Sequence, residues 1–183
     1  MTHYNLKIPE LIVIEPTIYN DDRGFFQESF NKKSFEKAIG YSVNFVQDNH
    51  SFSKKNILRG IHYQLPPFAQ GKLVRVVSGA VYDIGVDLRK NSPTFGKWAG
   101  AHLSDTNNKQ LWIPEGFGHA FYVLSESAHF LYKTTNYYNK ESERCIKWND
   151  AKLNIDWGNN SEVPIVSNKD STGSSFINAK YFD

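Results

Sequence analysis

Five segments of the chain carry side chains suited to moving protons or holding an anion. In Leu58-Arg59-Gly60-Ile61-His62-Tyr63-Gln64, strand alternation puts Gly60, His62 and Gln64 on one face and Arg59, Ile61 and Tyr63 on the other. An imidazole titrates near about 6.5, so His62 facing an interior can take and return protons at neutral pH. A hydrogen-bonded core histidine is the alternative use of the same residue. Lys72, in Gln70-Gly71-Lys72-Leu73-Val74-Arg75, can stabilise an oxyanion or a phosphate, or lie solvated at a strand end. Tyr132, in Leu131-Tyr132-Lys133-Thr134-Thr135-Asn136-Tyr137-Tyr138, brings a phenol whose hydroxyl needs a partner once buried, either the sheet or a substrate. Asp170, in Ser167-Asn168-Lys169-Asp170, can orient a histidine and raise its basicity, although spacing alone does not bring it to His62. The fifth segment, Pro114-Glu115-Gly116-Phe117-Gly118-His119, is a P-x-G-x-x-H motif.

Other chemistries lack their residues. Neither a G-x-x-x-x-G-K-[ST] loop nor a G-x-G-x-x-G turn is present, so ATP hydrolysis and nicotinamide redox lack their usual phosphate cradles. A single cysteine, Cys145, excludes an internal disulfide and a cysteine-cluster metal site, and fits a reducing, cytoplasmic home. Lys+Arg (21) against Asp+Glu (19) leaves +2, with the signs interleaved, which gives no general drive toward nucleic acid or membrane. No apolar run is long enough for a transmembrane helix, and no signal peptide is expected.

These side chains must be held by a sheet structure. The chain of 183 residues, 40% hydrophobic and 15% aromatic, is long enough for an ordinary core and is expected to form a single domain over residues 1–183. Strands are expected at Leu11–Ile14, Phe25–Phe30, Tyr41–Asp48, Ile57–Leu65, Lys72–Val77, Val81–Arg89, Trp98–Leu103, Lys109–Ile113, Ala120–Leu124 and Ala128–Thr135. Within Val81–Arg89, Tyr82, Ile84, Val86 and Leu88 share one face, and Asp83, Gly85, Asp87 and Arg89 the other. One helix is expected from about Lys32 to Ile39, capped by Asn31 and closed by Gly40. Many short strands between turn signals predict an antiparallel sandwich or barrel.

The P-x-G-x-x-H segment resembles the second motif of the cupins, small jelly-roll barrels. In metal cupins that motif and an H-x-H supply the ligands. Here the H-x-H position reads His62-Tyr63-Gln64, and two histidines with an amide are a poor transition-metal set, so no metal is expected. A wider resemblance covers nearly the whole chain. The segments Asp22-Arg23-Gly24-Phe25-Phe26-Gln27-Glu28, Val46-Gln47-Asp48-Asn49, Leu58 to Gln64, Gln70 to Arg75, Asp87-Leu88-Arg89, Ser92-Pro93-Thr94-Phe95-Gly96, Gln110 to Phe117, Tyr132-Lys133-Thr134-Thr135 and Lys169-Asp170 occur in the order found in the dTDP-4-dehydrorhamnose 3,5-epimerase family. The chain closely resembles that family.

The resemblance implies an all-β jelly-roll (double-stranded β-helix) barrel with a few short helices. It also implies a homodimer with exchanged N-terminal strands, and a cofactor-free isomerase acting on dTDP-4-dehydro-6-deoxy-D-glucose. Carried over by position, His62 is the base, Asp170 its orienting carboxylate, Tyr132 the opposing acid and Lys72 the cation beside the C4 oxygen. Arg59, His119 and Lys169 match diphosphate and sugar contacts, with Arg23 reaching in from the partner chain. Phe26, Glu28, Gln47, Asn49 and Tyr138 match thymidine contacts, and Glu143 a further nucleotide-side contact. Departures from the family pattern include Ala80, Gly118-His119-Ala120, Trp157-Gly158-Asn159-Asn160 and Asn168; the last adjoins Lys169 and Asp170. The rival readings are an epimerase inverting only C3 of a related 4-keto-6-deoxy nucleotide sugar, and a cupin module that binds a nucleotide sugar without turnover.

Overall fold

A computed structural model describes residues 1–158 and 162–183 of the chain. Thirteen named strands are described: β1 (Thr2–Asn5), β2 (Ile12–Glu15), β3 (Ile18–Asp21), β4 (Gly24–Gln27), β5 (Gln47–Lys54), β6 (Leu58–Gln64), β7 (Lys72–Ser78), β8 (Ala80–Asp87), β9 (Trp98–Ser104), β10 (Gln110–Ile113), β11 (Phe117–Val123), β12 (Ser127–Thr134) and β13 (Glu143–Cys145). Two sheets face each other, in the orders β1-β2-β10-β7-β12-β5 and β13-β6-β11-β8-β9, and every ladder between named strands is antiparallel. The non-consecutive neighbours are those of a jelly roll, the predicted fold. A separate hairpin, β3–β4, stands away from both sheets.

Between the sheets, Val13, Val74, Val76, Val81, Leu103, Leu111, Phe121 and Phe130 form a hydrophobic core. Both outer faces are also covered. Helix α1 (Lys32–Ile39) lays Phe35 and Ile39 over Ile12, Ile14, Leu73 and Trp112. Its predicted caps are in place: the Asn31 side chain accepts from the Ser34 amide, and Gly40 closes it at φ 86°. On the other sheet, segments after β13 bring Ile146, Leu153 and Phe176 onto Ile61, Tyr63, Ile84, Val86 and Leu88. That cover explains why β8 is buried on both faces, with Asp83 and Asp87 inside as completely as Ile84 and Val86 outside.

The structure corrects the expected strand at Tyr41–Asp48. Residues 41–46 are irregular, and the strand is β5, beginning at Gln47. Its inward residues, Gln47, Asn49, Ser51 and Ser53, are polar and its outward ones largely so, which leaves no hydrophobic period to read. β4 ends at Gln27, short of the expected Phe30, whose ring instead packs on Phe35 and Phe45. Strands β1, β3 and β13 and the one-turn helix α2 (Asn168–Ser171) were not anticipated. The Asn159 and Asn160 departures lie outside the described residues.

Candidate active site

The two sheets part at one end of the sandwich to enclose two adjoining chambers of about 270 and 220 Å3. His62, Lys72, Tyr132 and Glu143 line both. The outer chamber adds Gln47, Asn49, Gln64, Gln70 and Tyr138; the inner one adds Ser51, Arg59, His119, Phe121, Phe130 and Lys169. Tyr132 (β12) and Lys72 (β7) come from the six-stranded sheet, and His62 (β6) and His119 (β11) from the five-stranded one. Imidazole and phenol therefore stand on opposite walls of a shared space.

Register explains the placement. Gln47, Asn49, Ser51 and Ser53 of β5 sit opposite Thr134, Tyr132, Phe130 and Ala128 of β12, so one row of inward positions runs polar toward the mouth and apolar toward the core. On the facing sheet, His119 pairs with His62, but Phe121 pairs with Arg59, one residue out of step. This bulge breaks the expected alternation, and Arg59 lines the same chamber as His62 instead of facing away. Gly60 sits there at φ 127°, where a Cβ would lie 2.4 Å from that of Ala120, so no side chain fits. Arg59 is steadied from behind, Nε donating to Ser53 Oγ (3.0 Å) and Nη2 to the Phe52 carbonyl (3.3 Å).

His62 Nε2 is hydrogen-bonded to Asp170 Oδ1. Asp170 is carried by α2, whose Ser167 cap accepts from the Asp170 amide. Burial alone would raise the Asp170 carboxyl, but the hydrogen bond and charge of His62, with bonds from Ser167 and Cys145, bring it below its ordinary value. The carboxylate thus stays ionised behind the imidazole. A second pair lies deeper: His119 Nε2 is 2.9 Å from Asp83 Oδ2. Here burial dominates, lowering His119 and raising Asp83 against their mutual attraction. Asp83 Oδ1 has no hydrogen-bond partner among the described residues.

Lys72 is buried, and burial pulls its ammonium down to about 8, partly opposed by Asp83 and Glu143. It is still mainly protonated at neutral pH. Burial raises the Tyr132 phenol, which therefore remains a proton donor, and its hydroxyl makes no hydrogen bond to the described residues. Gln64, at the position of the missing cupin histidine, donates to the Phe68 (2.6 Å) and Tyr137 (3.1 Å) carbonyls and accepts from the Asn139 amide (2.8 Å). Its amide organises the chamber's loops, and it is a weak ligand beside His62 and His119.

The nucleotide-side residues divide into two groups. Tyr138 donates from its hydroxyl to Glu143 Oε2 (3.1 Å) and from its amide to Gln47 Oε1 (3.1 Å), and Gln47 Nε2 donates to Asn49 (2.8 Å). Lys169 is ion-paired with Glu143. Arg23, Phe26 and Glu28 line neither chamber: all three are exposed on or beside the β3–β4 hairpin, and Arg23 binds Asp21 of its own turn. Asp83, Gln70 and Ser51 were not singled out from the sequence. An acid at an inward position of a strand flanked by apolar residues was the available sign for Asp83.

A jelly roll with an imidazole and a phenol on opposite inner walls of one cavity belongs with the cupin-like carbohydrate epimerases. The comparisons agree. Residues 5–178 match the family model described as dTDP-4-dehydrorhamnose 3,5-epimerase. A protein of that name from Shigella flexneri is 57% identical over 176 residues, 96% of each chain. The crystal structure of a dTDP-6-deoxy-D-glucose-3,5-epimerase from Legionella pneumophila, in complex with dTDP-4-keto-L-rhamnose, superposes with a TM-score of 0.93 at 49% identity, covering 98% of this chain and 94% of that one. A 3'-monoepimerase from Streptomyces bikiniensis, in complex with dTDP-quinovose, is similar at a TM-score of 0.87 and 34% identity, covering 94% and 86%. This chain belongs to the dTDP-4-dehydrorhamnose 3,5-epimerase family.

Proposed function

We propose that this chain inverts C3 and C5 of dTDP-4-dehydro-6-deoxy-D-glucose, giving dTDP-4-dehydro-L-rhamnose, with no cofactor. The observation that carries the reading is the opposition of His62, backed by Asp170, to Tyr132 across chambers that both include Lys72. Both carbons flank the C4 ketone, so loss of either proton gives an enolate. His62 takes the proton from one face, and Asp170 stabilises the imidazolium that forms. The Lys72 ammonium stabilises charge developing on the C4 oxygen. Tyr132 returns a proton to the opposite face, which inverts the centre.

Arg59 and Lys169 supply positive charge for the diphosphate, where a guanidinium matches phosphate oxygens. His119, which burial holds neutral, serves there as a polar wall and not as a cation. Gln47, Asn49, Tyr138 and Glu143 form the nucleoside end. Arg23, Phe26 and Glu28, exposed on the hairpin, reach the site of a second copy in a homodimer with exchanged N-terminal strands. The greater identity to the 3,5-epimerases than to the 3'-monoepimerase supports double inversion.

Incubation with the keto-sugar in D2O tests the reading. Deuterium at both C3 and C5 supports it, and deuterium at C3 alone assigns a monoepimerase. Binding of the sugar without exchange leaves a non-catalytic module.

A further inference from the structure

The reaction leaves one half-buried nucleophile without a part. Cys145 on β13 is the cross-strand partner of His62, and its thiol donates to Asp170 Oδ1 at 3.7 Å. His62, Cys145 and Asp170 thereby offer a nitrogen, a sulfur and a carboxylate oxygen within 4.8 Å of one another. Those three ligand types are the ones zinc prefers, and three protein ligands with one open position make a familiar zinc geometry. Bonds of roughly 2.0–2.3 Å in a tetrahedral site hold ligand atoms roughly 3.3–3.8 Å apart. The Cys145–Asp170 separation already falls in that range. His62 and Asp170 are closer, in direct hydrogen-bond contact, so an ion must replace the proton between them and part them slightly.

We propose that His62, Asp170 and Cys145 form a latent inhibitory site for a soft divalent cation, Zn2+ or Cd2+, lying behind the proton-transfer histidine. The set differs from the cupin pattern, because it uses Cys145 and Asp170 and neither Gln64 nor His119. The thiol is inert when free: burial, reinforced by Asp170, pushes it up to about 12. A bound ion reverses that, since a coordinating thiol is deprotonated outright. Glu143 adds favourable charge beside the cluster and Lys169 opposes it.

The consequence follows from proton accounting on the ring. In the metal-free site Nε2–H faces Asp170, which leaves the Nδ1 lone pair to accept a substrate proton. With the ion on Nε2, the proton of the neutral ring resides on Nδ1, and no lone pair remains. Binding releases one proton, from the thiol. Gln47, Asn49 and Tyr138 of the nucleoside end are not among the ligands, so dTDP is expected still to bind. The site stands on geometry alone; only the inhibitory effect rests on the base role proposed for His62.

The test uses the full chain after chelator treatment. Cd2+ is titrated while the ultraviolet thiolate-to-cadmium band is followed, and Zn2+ is titrated into the D2O exchange assay. One equivalent of Cd2+ is expected to raise the band, and Cys145→Ala to abolish it. Zn2+ is expected to stop exchange reversibly without weakening dTDP binding, with Cys145→Ala and Cys145→Ser needing more than about tenfold more Zn2+. Absence of the band in the unaltered protein, or equal Zn2+ sensitivity in all three proteins, overturns the proposal. A cadmium band in a protein that exchanges no deuterium when metal-free keeps the site and removes the epimerase reading. Exchange that is indifferent to Zn2+, with no cadmium band, keeps the epimerase and removes the site.

Discussion

His62–Asp170 and His119–Asp83 are the same chemical pair, and the two histidines face each other across neighbouring strands. Their surroundings separate them. The His119 ring stacks on Phe130 at 5.9 Å, and the side chains of His119 and Asp83 are 9% and 0% exposed. Burial there works against charge on both partners. The His62 side chain is 28% exposed toward the chambers, and its carboxylate arrives from a helix outside the sheet, held ionised by several donors. Location, and not residue type, leaves one pair open to the chambers and the other closed in as a polar wall near Lys72.

The comparison is broken most readily at the two histidines. His62→Ala is expected to lower exchange at both carbons by roughly 10²–10⁴-fold while dTDP still binds. His119→Ala is expected to cost far less per folded molecule, and an equal loss in folded protein would erase the distinction. Tyr132→Phe comes next: wash-in of deuterium persists, while net inversion, followed by NMR of the product sugar, falls about a hundredfold.

The carboxylates sharpen the contrast. Asp170→Asn removes the charge that stabilises the imidazolium and the acceptor that fixes its tautomer, so turnover is expected to fall by roughly 10²-fold or more. Asp83→Asn leaves the base untouched and is expected to act through Lys72. Asp83 favours the Lys72 ammonium, which burial has brought to about 8. The rate profile of the unaltered enzyme is therefore expected to fall above about pH 8, by about tenfold per pH unit. In Asp83→Asn that limb moves to lower pH. A limb that stays in place rules out Asp83 as the support of the ammonium.

These contrasts were only partly legible in the sequence. Helix α1 was readable because Asn31, Phe35, Ile39 and Gly40 each state their role locally. Strands β6 to β9 were readable because each is a largely buried run rich in apolar residues. By contrast, β5 lines a polar chamber, so its inward side carries no hydrophobic signal. The inward turn of Arg59 depends on a bulge between β6 and β11, a property of two strands that neither shows alone. Asp170 lies 108 positions from His62, and resemblance to a family, not spacing, brought them together. Cys145 looked isolated because its neighbours arrive from β6 and α2.

Lys72 tests the same contrast through stability. Its folded-state value of about 8 against an ordinary 10.5 means that holding the ammonium in the interior costs roughly 3 kcal/mol relative to water. At pH 7 the lysine is charged in both folded and unfolded chains, so the full cost applies. Between about pH 8 and 10.5 the unfolded chain binds more protons than the folded one, and stability rises with pH across that window. Lys72→Met, which keeps the volume and drops the charge, is expected to be nearly inactive yet more stable at pH 7 by up to roughly 3 kcal/mol. Its advantage in urea denaturation is expected to shrink as the pH approaches 10. A less stable Lys72→Met at neutral pH would mean that Asp83 and Glu143 more than compensate the ammonium's burial. The interior pair would then be an electrostatic support on the same footing as the pair at the mouth.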